Sequence, residues 1–125
     1  MKNSFKYVDG FVVPVPRKNL NQYKKIAKVF GKVWLDHGAL DYVESIADDV
    51  QKGKVTSFPQ SVKLKKGEVV CFSFVTFKSR SNRDAIMKKV MSDPRLAPYM
   101  NEDSMPFDGM RMFWGGFKPF ISVHA

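Results

Sequence analysis

VVCFSFVTF, residues Val69 to Phe77, decides the fold class. Nine residues that are almost all β-branched, aromatic or small, with no charge among them, read as a strand enclosed by the rest of the chain. Two helical patterns flank it. Upstream, Leu20, Tyr23, Ile26, Ala27, Phe30, Val33, Trp34 and His37 recur at steps of three and four, while Asn21, Lys24, Lys25, Lys28 and Lys32 take the opposite side. This spacing predicts an amphipathic helix over 20–37, stopped at Gly38, where a left-handed cap costs least. Downstream, Ser81 and Asp84 give a capping-box-like start, and Ile86, Met87, Val90 and Met91 an apolar stripe that ends before Asp93 and Pro94.

Three further strands complete the set. FKYVDGFVVPV, Phe5 to Val15, reads as a first strand with an irregularity at Gly10 and Pro14. LDYVESIADDV, Leu40 to Val50, reads as a second. MRMFWGGFKPFISV, Met110 to Val123, reads as a last strand broken near Gly115 and Gly116. The polar stretch from Gln51 to Gly67 is expected to fold against the body, and 95–108 to form an irregular connector. The order strand-helix-strand, strand-helix-strand predicts one α+β domain over residues 1–125. It has a ferredoxin-like antiparallel sheet with both helices on one face and the other face bare.

Composition narrows the class. With 44% hydrophobic and 14% aromatic residues in 125, the chain is expected to build a real core rather than remain disordered. No apolar run approaches the roughly 20 residues of a membrane span, and Met1 to Lys6 is polar, so a soluble cytoplasmic protein with no membrane association is expected. Cys71 is the only cysteine, which excludes an intrachain disulfide and a cysteine-built zinc site. The net charge of +9 attracts anions in general and specifies no site.

Close packing of helices on a sheet favours small side chains beneath them, which sends Gly10, Ser45, Ala47, Cys71 and Ser73 toward the helices. Their neighbours then share the bare face: Tyr7, Asp9, Phe11, Tyr42, Glu44, Ile46, Phe72, Phe74 and, with the register kept, Arg111 and Phe113. So apolar a surface is expected to be covered, and a second copy of the chain can cover it by two-fold symmetry.

The charges among these residues are costly unless paired or set in a cavity. Asp9, Glu44 and Arg111 are therefore the candidate catalytic groups, with His37 as a fourth candidate whose other role is to cap the first helix. Tyr42, Phe11, Trp34, Phe72, Phe74 and Phe113 are the candidate substrate-binding residues. Neither the histidines nor the acidic residues show a metal-ligand spacing, and no Gly-rich phosphate loop or Gly-x-Ser-x-Gly elbow occurs, so no metal and no cofactor is expected.

Several stretches together carry a family resemblance: YVDGFVVPVP at 7–16, HGALDYVES at 37–45, DDVQKGKVTSFPQSV at 48–62, KVMSDPR at 89–95 and MPFDGMRMFWGGF at 105–117. In these the chain resembles the bacterial family known as domain of unknown function 1428. That family is similar in turn to the dimeric α/β-barrel superfamily, whose members include cofactor-independent monooxygenases, haem-dependent enzymes and ligand-sensing domains. The resemblance implies a homodimer with a small organic ligand in a cleft between sheet and helices, and monooxygenase-like or isomerase-like chemistry without a cofactor.

A competing motif lies inside the opening stretch. VCFSFVTF, Val70 to Phe77, resembles the RNP1 element of RNA-recognition modules, with Phe72 and Phe74 at the base-stacking positions. Val70 and Cys71 stand where that element has a basic residue and glycine. Nucleic acid is thus the less favoured partner, and a non-enzymatic RNA- or protein-binding module using Phe72, Phe74 and the basic surface is the alternative.

Overall fold

Strand β3 (Glu68–Phe77) is held on both sides, by β1 (Tyr7–Pro16) and by β2 (Asp41–Ile46), and β4 (Phe113–Phe117) closes the row against β1. The computed structural model describes residues 5–125; the polar Met1–Ser4 stretch lies outside them. All pairings are antiparallel and the order is β2-β3-β1-β4, an open four-stranded sheet.

The register runs from Tyr7 opposite Phe77 to Pro16 opposite Glu68 without a slip. The irregularity expected at Gly10 and Pro14 is absent. β4 pairs with β1 only from Val8 to Val12, so a proline at position 14, which lacks an N–H, meets no ladder on that side.

Helices α1 (Leu20–Asp36) and α3 (Arg80–Met91) pack on one face of this sheet, and a one-turn helix α2 (Phe58–Ser61) interrupts the long connection between β2 and β3. α1 ends as its sequence predicts: Gly38 takes φ +114° and the Ala39 N–H reaches back to the Trp34 carbonyl at 3.0 Å. α3 is capped two residues before the expected cap. Ser79, not Ser81, accepts the Asn82 N–H at 3.0 Å, because Ser79 is the last extended residue and its hydroxyl overhangs the first turn.

The main core lies between helices and sheet. Val33 and Trp34 from α1, Ile86 and Val90 from α3, and Val75 and Phe77 from β3 are buried together, with the Trp34 and Phe77 rings edge to face. A smaller cluster on the other face joins Val12 and Val70 to Val62, with Ala47 and Leu64 beside them. The 47–64 stretch thus folds against the body and covers part of that face.

Pairing corrects the expected division of faces. Asp9 lies opposite Val75, Phe11 opposite Ser73 and Glu44 opposite Ser73, so Tyr7, Asp9, Phe11, Tyr42, Glu44 and Ile46 face the helices with Cys71, Ser73 and Val75. Gly10 and Ser45 lie on the open side, across from Phe74 and Phe72. The small-residue rule assigned β1 and β2 the wrong parity: no atom lies within 4 Å of where a Cβ on Gly10 would sit, so this glycine accommodates nothing. Phe72, Phe74 and Phe113 are on the open face, as expected.

β2 ends at Ile46 rather than Val50, and β4 is five residues long with both glycines inside it. A Cβ on Gly116 would collide with the Tyr7 hydroxyl and lie 2.7 Å from Arg83, so glycine lets the edge strand close over those side chains. Past Phe117 the chain leaves the sheet, and Phe120, Ile121 and Val123 are almost wholly exposed. No helix among the described residues is long and apolar enough to cross a membrane.

Candidate functional site

Between the helix-facing side of the sheet and α1 lies a cavity of about 450 Å³. Its sheet side is Phe11 and Val13 from β1, Tyr42 and Glu44 from β2, and Ser73 from β3. Tyr23, Phe30 and Trp34 of α1 form the opposite wall, Met87 and Met91 of α3 close one end, and Tyr99, Met105 and Phe107 of the irregular connector roof it. The connector is held in place by the packing of Phe107 edge-on against Tyr23 and of Tyr99 near Phe30, with Leu96 fully buried. Trp114 of β4 stacks on Phe11 at the rim.

Among the described residues, Glu44 is the only charged side chain lining this cavity. Its position follows from local rules: residues 42 and 44 share one side of a strand, so Tyr42 and Glu44 point together toward α1. The Tyr42 hydroxyl donates to one carboxylate oxygen at 2.7 Å, and the Tyr23 hydroxyl, from α1, donates to the other at 2.8 Å. Burial pushes the Glu44 carboxyl above its ordinary range, and the two phenol hydrogen bonds oppose that rise. Both phenols are pushed up, first by burial and then by the carboxylate they face. The Cys71 thiol behind them is pushed up to about 11, mainly by burial, and is a poor nucleophile there.

The family model described as protein of unknown function (DUF1428) matches residues 6–109. This chain belongs to the DUF1428 family. It is also similar to the uncharacterized protein YbaA of Escherichia coli strain K12 and that of Shigella flexneri. Each is 46% identical over 116 residues, covering 93% of this chain and 97% of the relative. The DUF1428 span contains Tyr23, Tyr42 and Glu44, while Arg111, Phe113 and Trp114 fall beyond it.

The other sequence-predicted site residues are scattered. Asp9 is fully buried beneath α3 with the Arg83 Nε at 3.7 Å, and among the described residues neither of its oxygens has a hydrogen-bond partner. Burial raises its carboxyl, and Arg83 opposes this. Arg83 also donates to the Tyr7 hydroxyl at 3.1 Å with its guanidinium 5.0 Å from the Tyr7 ring centre. Asp9 lines no part of the DUF1428 cavity.

Arg111 does not join Asp9 or Glu44. It grips Glu68 with both terminal nitrogens and Asp108 with Nε at 2.9 Å, and reaches the carbonyls of Val62 and Lys63. That bidentate pair ties the start of β3 to the run-in of β4. His37 caps α1 and meets Asp93 at 2.8 Å. Arg95 binds Asp93 and Asp36, fastening the end of the helix to the connector.

Of the predicted binding residues, Phe11, Trp34 and Tyr42 line the cavity, while Phe72, Phe74 and Phe113 are outside it on the open face. Sequence reasoning missed Tyr23 as a site residue, placing it only in the helix stripe. One signal was available: a phenol in an otherwise apolar stripe must find a hydrogen-bond partner when buried. Arg83, in a helix rich in charge, carried no such signal.

Proposed function

We propose that the protein is a homodimer, one ferredoxin-like domain per subunit, that binds a small organic molecule in the cavity beside Glu44 and moves a proton there without a cofactor. The observation that carries this reading is the Glu44 carboxyl, desolvated and gripped by two phenols at the polar end of an otherwise apolar cavity. Burial raises the proton affinity of this carboxyl, the direction that suits a group taking and returning a proton in isomerase-like or monooxygenase-like chemistry on an acidic C–H. The lone, buried thiol suits a reducing cytoplasm.

The open face supports the dimer. Phe72 is 42% exposed and Phe117 64% exposed, and Val43 and Phe113 share their side of the sheet. The order β2-β3-β1-β4 is compatible with two sheets meeting face to face as a dimeric α/β barrel. Native mass spectrometry of freshly purified protein tests both parts, with a dimer carrying a bound small molecule as the expected result. Unchanged ligand retention in Glu44→Gln would remove Glu44 from the reading.

The same exposed rings favour a second reading, a face that stacks RNA bases or receives a partner protein. Retention on RNA that collapses between low and physiological salt would support the RNA version. A monomer that binds neither RNA nor small molecules would leave the partner protein.

A further inference from the structure

We propose that the occupant of the Glu44 cavity is an organic cation, an apolar body carrying a protonated amine or a quaternary ammonium, whose charge is received by Glu44. The inference rests on the cavity reading above and adds the class of ligand to it.

The distribution of charge argues for it first. The chain carries 21 Lys and Arg, yet among the described residues no Lys, Arg or His lines the cavity. Among the described residues Glu44 makes no ion pair, and its only side-chain partners are the two neutral phenols. A carboxylate has about four lone-pair sites, so two phenols leave room for the N–H donors or the positive field of a cation. An uncompensated carboxylate in a desolvated cavity gains most from an occupant of opposite charge and excludes one of like charge.

The walls argue in the same direction. Trp34, Phe30, Tyr99, Phe107 and Trp114 surround the space, and the faces of such rings attract cations, most strongly away from water. The fold already uses Trp114 in this way: the Arg83 guanidinium lies 5.8 Å from its ring centre. Five methionines, Met87, Met91, Met100, Met105 and Met112, add flexible, polarizable thioethers that adapt to an apolar body.

One feature argues for an anion instead. A shallow groove outside the cavity, between α1 and β2, shares Tyr23, Tyr42 and Glu44 with it and is edged by Lys24, Lys28 and Lys32. These lysines are exposed, so their charge is largely dissipated in water. They also stand outside the aromatic walls that hold the apolar body. The cation reading therefore predicts that they contribute little.

The two tryptophans of the chain, Trp34 and Trp114, both line the cavity, so intrinsic fluorescence reports its occupancy. The probes are 4-phenylbutylamine, 4-phenylbutanol and 4-phenylbutyrate, alike in body and different in charge, titrated into the full-length protein near pH 7.5. The amine is expected to bind at least tenfold more tightly than the alcohol, with the butyrate weakest. Glu44→Gln, checked for a wild-type circular dichroism spectrum, is expected to bring the amine down to the alcohol while leaving the alcohol unchanged. If that variant does not fold, Glu44→Asp, which withdraws the charge by one methylene, is expected to lose part of the preference. Alcohol binding with no advantage for the amine, or tightest binding of the butyrate, overturns the cation inference and leaves the cavity reading standing. Failure of all three probes to bind overturns both.

Discussion

The Tyr42 hydroxyl donates to Glu44 at 2.7 Å from the same side of the same strand, two residues away, so β2 carries both the carboxyl and one of its two hydrogen-bond donors. The other donor, Tyr23, comes from α1. The carboxyl is therefore shared between a strand and a helix, and its proton affinity depends on how closely those two elements approach.

Removing either donor should raise that affinity. A phenol O–H bonds the ionised carboxylate in preference to the neutral acid, so Tyr42→Phe and Tyr23→Phe are each expected to push the Glu44 carboxyl further up, and the double variant further still. Carboxyl-resolved NMR titration measures the direction. Each single change is also expected to cost about 1 kcal/mol of stability in denaturant unfolding.

Glu44 also predicts a trend of stability with pH. Its folded value lies above the unfolded value near 4.3, so the folded state holds the proton through the interval between them. Its contribution is most favourable below the unfolded value and declines as pH rises through the folded one. Glu44 is faced by Tyr23 from α1, Tyr42 on its own strand and Cys71 from β3, with the exposed Lys24 of α1 nearby. The thiol and both phenols are pushed up from ordinary values that already lie well above the carboxylate range. Melting temperatures followed from pH 4 to 8 should show a decline that Glu44→Gln flattens; equal slopes in the two proteins would remove the assignment. Asp9, raised for the same reason, adds a decline of the same sign.

Asp93 works in the opposite sense. Hydrogen bonds from the Arg95 side chain, the Arg95 backbone N–H and His37 hold its carboxyl well below the usual range. Its contribution is full above the unfolded value near 3.9 and is lost as pH falls toward the folded one. Acid unfolding of Asp93→Asn is expected to be less steep below pH 4 than that of the natural chain.

The open face is tested by charge. Phe72→Glu with Phe74→Glu places two carboxylates on the surface proposed to meet its twin, while both rings lie outside the helix-facing core. Light scattering coupled to size exclusion is expected to find a dimer for the natural chain and a folded monomer for the variant; a monomer for both removes the proposed pairing. By contrast Phe77→Ala, in the main core beneath Trp34, is expected to cost about 3–5 kcal/mol whatever the oligomeric state.

The elements were legible because their signals are local: the helix period, Gly38 after α1, and the unbroken apolar run of β3. The parity of β1 and β2 was not. Whether Asp9 or Gly10 faces the helices is decided by which residue of β3 it pairs with, a relation between segments some sixty positions apart, and composition within either strand is silent on it. The candidate site was read in half for the same reason. Tyr42 and Glu44 are neighbours on one strand and were singled out together, whereas Tyr23 reaches them only through the packing of α1, and Arg111 found closer carboxylates in Glu68 and Asp108.

Gly31 lies on the inner side of α1, and a Cβ there would come within 2.9 Å of the Tyr42 ring. A single hydrogen in the middle of a helix thus sets how deep a phenol on the neighbouring strand can seat. Adding one methyl would strengthen the helix locally by about 1 kcal/mol and, in the same stroke, tilt the ring that steadies the carboxyl. Gly31 does not itself line the cavity, so position 31 is a place to reseat Tyr42, and through it the carboxyl, without substituting a lining residue.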